Sequence, residues 1–105
     1  MMNEADWKLF RKRMPEWQEA YMDELNQQYA AVLASSGTAS EKFWRLEERI
    51  NKDKNDVGVV ARMSRSKMEH NILSLLDEGA ITLDDLEGFS EELRERMGFL
   101  FRKRE

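Results

Sequence analysis

Five carboxylates crowd around one glycine in LLDEGAITLDDLEGFSEEL, residues 75–93: Asp77, Glu78, Asp84, Asp85 and Glu87. Carboxylates at this density suggest a hard cation, so calcium is the first chemistry to test. An EF-hand loop needs oxygen ligands at positions 1, 3 and 5, glycine at 6 and glutamate at 12. Counting from Asp77 puts Gly79 at position 3 and Ile81 at position 5, so the spacing fails. Asp84 and Asp85 are adjacent, and on a helix their side chains diverge by about a hundred degrees. The chain has no cysteine, which excludes thiolate zinc sites and thiol catalysis. The stretch therefore reads as the joint between two helices, its acids lying at helix starts or on a solvated face.

Other chemistry-bearing residues are few. His70 is the only histidine and lies about 200° from Met68 around its helix, off the apolar stripe, which makes it a surface residue. One histidine on a polar face supports no Ser-His-Asp constellation. Glycines stand at neither GxGxxG nor GxxxxGK spacing, so no phosphate loop is present. We therefore expect no catalytic, cofactor-binding or metal residues, no cofactor, no small-molecule substrate and no enzyme. The best anion or nucleic-acid candidate is ARMSRSK, where Arg62, Arg65 and Lys67 gather at a helix start, the wrong end for support by the dipole. A helix, a glycine turn and a second helix also match a DNA-binding motif in outline. The second element, LDDLEGFSEE, carries five carboxylates that DNA phosphates would repel.

Composition narrows the class further. The 105 residues suit one domain, with 41% hydrophobic and 36% charged residues, one proline and five glycines. Net charge is −4. Basic and acidic groups number 4 and 6 in residues 1–40, 8 and 6 in residues 41–70, and 5 and 9 in residues 71–105, so no block is strongly basic. Nucleic acid is accordingly disfavoured as a partner. MMNEADWKLF has acids and no apolar core, unlike a secretory signal, and no run is apolar and long enough to span a bilayer. A cytoplasmic protein without membrane contact is the expectation.

Hydrophobic periodicity supplies the elements. Trp7, Phe10 and Met14 form a helical stripe, and Pro15 predicts a break after it, with a long second helix beginning at the proline. Trp17, Tyr21, Leu25, Tyr29 and Val32 line that helix. SSGTAS is a loop, and Ser40 is expected to cap a helix whose buried stripe is Phe43, Leu46 and Ile50. Val59, Val60 and Met63 are expected to close the core from a connector. Ser66 and Glu69 have capping-box spacing before the next helix, which Gly79 ends in a left-handed conformation. Thr82 and Asp85 start the last segment, where Gly88 and Ser90 divide a stripe running from Leu86 to Leu100. The whole reads as a single all-α domain, 1–105. It is a small bundle of four to five helices with an N-terminal arm at 1–14 and a C-terminal helical hairpin at 66–104.

Within that hairpin, LLDEGAITLDDLEGF resembles the short helical-hairpin module of the SHOCT type found at the C-termini of bacterial proteins. The likeness rests on the paired leucines, Gly79, Ile81, Thr82, the acidic pair and Leu86, and covers about a quarter of the chain. SEELRERM stands where that module commonly has a lysine-rich helix. The whole chain also resembles small uncharacterised helical proteins of Gram-positive bacteria. Neither resemblance implies an activity or carries over a functional residue.

Seven of the ten aromatic residues fall in the first 44. Tryptophan and tyrosine combine large apolar area with a polar tip and are enriched at interfaces. The arm is too short to be stable alone, and we expect it to dock on a protein partner or a second copy, with Trp7, Phe10, Met14 and Trp17 as contacts. The function expected is a non-catalytic protein–protein interaction or assembly module. The alternative is a nucleic-acid-associated or regulatory helical protein.

Overall fold

The computed structural model describes residues 3–104; Met1 and Met2 of the arm and Glu105 of the tail lie outside them. Every regular element is helical, as the periodicity predicts: α1 (Glu4–Ala34), α2 (Ala39–Asp53), α3 (Met68–Glu78) and α4 (Glu91–Lys103). Short 3-10 turns at Arg65–Lys67 and Leu83–Leu86 precede α3 and α4.

Pro15 does not break the helix as its local preference predicts. The helix runs through it without interruption, so the arm and the second helix are one 31-residue rod. Proline removes one hydrogen bond, here the one to the Arg11 carbonyl, and disfavours helix in the residue before it. Packing overrides that local preference. Trp7, Phe10, Met14, Trp17, Tyr21 and Leu25 follow one another at spacings of three and four, an apolar line that crosses the proline in register. The Phe10 and Trp17 rings lie 6.2 Å apart across it, and Trp17 stacks on Phe89 of the α4 approach at 6.2 Å.

The arm's apolar edge is consequently spent inside this chain. Trp7, Phe10 and Met14 are 6%, 0% and 2% exposed, and Trp17 is half-buried. Helices α3 and α4 each bury a face comprising Met68, Ile72 and Leu75, or Leu93 and Met97, and need a third wall. The first half of α1 supplies it. The second chain invoked for Trp7, Phe10 and Met14 has no free edge to meet.

Two polar ties from α1 hold the C-terminal segment in place. Asp6 is 4% exposed, and its carboxylate accepts the Ser90 N–H at 2.7 Å and the Ser90 hydroxyl at 2.6 Å. The same hydroxyl accepts the Leu93 N–H at 3.2 Å, so Ser90 caps α4 while Asp6 fixes Ser90. Seven residues on, Arg13 donates to the carbonyls of Asp85 and Glu87 and lies over the Phe89 ring at 5.5 Å. Arg13 thus lies mid-helix and binds loop carbonyls.

The joint around Gly79 is built by helix chemistry. Gly79 has φ 77° and the Ala80 N–H reaches the Leu75 carbonyl at 2.9 Å, a left-handed C-terminal stop. Asp85 reaches back to the Thr82 N–H at 2.7 Å. Two other start signals shift. Thr38 caps α2 in place of Ser40, with Glu41 completing its box. Ser66 lies inside a 3-10 turn, and Glu69 pairs with Arg96 of α4 at 2.6 Å rather than with a cap.

Asp6→Ala should destabilise the fold by about 2–3 kcal/mol, because it removes a charged acceptor and strands a part-buried N–H. Denaturant unfolding measures this. A loss under about 0.5 kcal/mol would show that Ser90 caps α4 without help.

Candidate interaction surface

The second half of α1 and all of α2 stand outside the main core, which draws no buried residue from either. The molecule is accordingly elongated, 53 × 26 × 19 Å. Ser35 ends α1 in an extended conformation and Thr38 starts α2, which returns along α1 as a hairpin.

Polar side chains tie the two helices together. Arg49 donates to Gln28 at 2.6 Å and lies over the Tyr29 ring at 5.8 Å; the Tyr29 hydroxyl donates to Asp53 at 2.8 Å. Arg45 donates to Ser35 at 3.2 Å. Asp53 is the only residue of α2 that is buried. Burial and the Asp53 carboxylate push the Tyr29 hydroxyl up to about 12, so it remains a donor across the neutral range.

This arrangement overturns the stripe expected to be buried. Phe43 is 61% and Ile50 41% exposed, and Leu46 is half-buried. With the polar edge of α2 turned to α1, the apolar edge faces outward along the hairpin groove. Leu33 at the end of α1 is 51% exposed, and Trp44, 62% exposed, packs edge-on to Phe43 at 4.9 Å. One groove of about 280 Å³ lies between Met22, Asn26, Tyr29, Ile50, Lys54 and Val59. A second of about 230 Å³ is lined by Phe43, Leu46, Glu47, Ile50 and Asn51, so Ile50 is a shared wall. Both fall below the roughly 300–1,000 Å³ of small-molecule sites. Each has room for about one large side chain.

The connector after α2 fixes the base of the hairpin. The Val57 and Gly58 N–H groups donate to the Glu78 carboxylate at 2.9 and 3.0 Å, and Gln18 donates to the Val57 carbonyl at 3.0 Å. The Tyr21 hydroxyl donates to Asp56 at 2.6 Å. Gly58 lies flat on the Tyr21 ring, where a Cβ would fall 2.2 Å from a ring carbon. Val57 and Ala61 do the packing expected of Val60 and Met63, which are 59% and 41% exposed. A connector in turns has no period of two or 3.6 to decide which valines face inward.

Of the basic candidates, Arg65 is already paired. Arg65 donates to both oxygens of Glu4, at 2.7 to 3.3 Å, and lies over the Trp7 ring at 5.5 Å. Its guanidinium holds the Glu4 carboxyl below its ordinary value. Arg62 and Lys67 are exposed and make no ion pair among the described residues. His70 is exposed, as expected. Among the described residues no group of three acidic or histidine side chains could hold a metal ion, and no helix is long and apolar enough to cross a membrane.

The residues missed as a surface, Phe43 and Trp44, did carry a signal. Adjacent aromatics on a helix point about 100° apart, so at least one must leave a narrow buried stripe. The chain matches no known protein family, no curated protein and no solved structure.

Glu78 generates a pH prediction. Its burial raises the carboxyl above its ordinary value, against the two backbone N–H bonds that lower it. The folded state then holds the proton to higher pH than the unfolded chain, so lowering the pH through this window favours folding. Glu4 and Glu41, both held low, act in the opposite direction. Comparison with Glu78→Gln cancels them. Wild type should gain stability relative to Glu78→Gln between about pH 7 and about pH 4 in thermal unfolding. A difference that shrinks or stays flat would contradict this.

Proposed function

We propose that the chain is a non-catalytic protein–protein interaction or assembly module that docks through the outer face of the α1–α2 hairpin. One observation carries the reading: Phe43 and Trp44 pack against each other while each is more than half exposed, on a helix that fully buries none of its apolar side chains. Grouped exposed apolar residues mark interaction surfaces far better than scattered ones, and tryptophan is among the commonest anchors. The exposed apolar residues here lie on helices already tied by three polar contacts, so the face is presented in one shape before any partner arrives. Preorganisation of that kind lowers the cost of binding.

Trp7, Phe10, Met14 and Trp17 keep a part in this reading as the foundation from which the hairpin projects. The nucleic-acid alternative draws less support, because Arg65 is already neutralised by Glu4. The charge-rich, cysteine-free composition fits the cytoplasm as the proposed compartment.

A photo-crosslinking amino acid placed at Trp44 should give discrete protein adducts in the host cell. The same group at Arg94, exposed on α4, should give none. Equal labelling at both positions, or none at Trp44, would count against the hairpin as the docking face.

A further inference from the structure

We infer that the occupant of the hairpin face is a second copy of this chain, packed antiparallel about a two-fold axis beside Ile50 to form a four-helix layer. The inference rests on the reading of the hairpin as a docking surface and names its partner.

The first argument is self-complementarity. An isologous contact needs a surface that carries both a projection and its matching recess. Phe43 is the projection, 61% exposed and braced by Trp44. The recess is the groove between Met22, Tyr29, Ile50, Lys54 and Val59. Phe43 and Ile50 are two turns apart on one face, about 10.5 Å along the axis. A two-fold axis beside Ile50 sends the Phe43 ring of each copy toward the recess of the other.

Charge favours the same arrangement. Arg45, Arg49 and Asp53 are engaged with α1, which leaves Glu41, Glu47 and Glu48 against Lys42 and Lys52 on the rest of α2, with Lys54 just after its end. Glu47 borders the groove at Phe43, and Lys54, seven residues on and along the same edge, borders the recess. The antiparallel two-fold places Glu47 beside Lys54 of the second copy, twice.

Size sets the strength. A 15-residue helix is about 22 Å long, and two helices side by side are about 20 Å wide, so the face covers on the order of 450 Å² per copy. Doubled, this approaches the roughly 1,000 Å² at the lower limit of specific interfaces and falls short of the usual ~1,600 Å². The dimer is therefore reversible, with a dissociation constant micromolar or weaker.

Sedimentation equilibrium of the full chain from about 1 µM to about 1 mM tests it, and the mass should climb from monomer toward dimer. Glu47→Lys and Lys54→Glu should each weaken association about tenfold or more, and the double exchange should restore it. Phe43→Ser should abolish it with unchanged circular dichroism, since that ring is mostly exposed in the monomer. A monomer at every concentration, or a double exchange that fails to restore association, overturns the proposal. An apolar fluorescent dye separates the two levels. If the monomeric wild type binds it and Phe43→Ser does not, the face remains a docking surface for another protein. If neither binds it, the docking reading falls as well.

Discussion

Everything in this molecule depends on α1 passing Pro15 as one rod. Its first half is a wall of the core, through Trp7, Phe10 and Met14, and its second half is one rail of the hairpin. A break at the proline would leave the hairpin tied to the core only through the connector and Glu78. The missing hydrogen bond at Pro15 is a local cost of up to about 3 kcal/mol. Burying Phe10 and Met14 alone offsets it, at about 1.5–3 kcal/mol for each large apolar side chain. The apolar line holds its register on both sides of the proline, and that continuity decides the outcome.

The remaining geometry is set by polar side chains reaching across sequence distances that no local rule spans. Asp6 holds the start of α4 from 84 residues away, and Arg13 holds the loop before it from the same helix. Glu78 binds the connector from the far end of α3, next to the glycine that ends that helix. These contacts fix direction more than they add stability. Each replaces hydrogen bonds to water, and the net gain is about 1–3 kcal/mol apiece. Exposed ion pairs such as Arg65–Glu4 and Arg104–Asp77 contribute less still.

Legibility in the sequence follows the range of the interaction. The glycine stop at Gly79, the Asp85 reach to Thr82 and the surface position of His70 depend on residues a few places apart, and all could be read directly. Thr38 and Ser40 are both capping residues; only Thr38 has a glutamate three places on, a local signal that the serine lacks. Pro15 misled because the local rule is sound and the packing that overrides it is distant. Trp7, Phe10 and Met14 have the same periodicity whether they meet this chain or another, so pattern alone could not assign their partner. For Phe43 and Ile50 the error ran the other way. The spacing reveals a stripe, and the Arg49 and Asp53 contacts with α1 decide that it faces outward.

One small fold thus divides into a buried core and a projecting hairpin whose apolar face is exposed. Hydrogen exchange followed by mass spectrometry at two protein concentrations addresses that division directly. Helices that bury little should open at lower free energy than the core. At low concentration, segment 39–53 should exchange well before segments 68–78 and 91–103. At high concentration it should slow while they do not. Equal protection of all three segments, unaffected by concentration, would contradict the account.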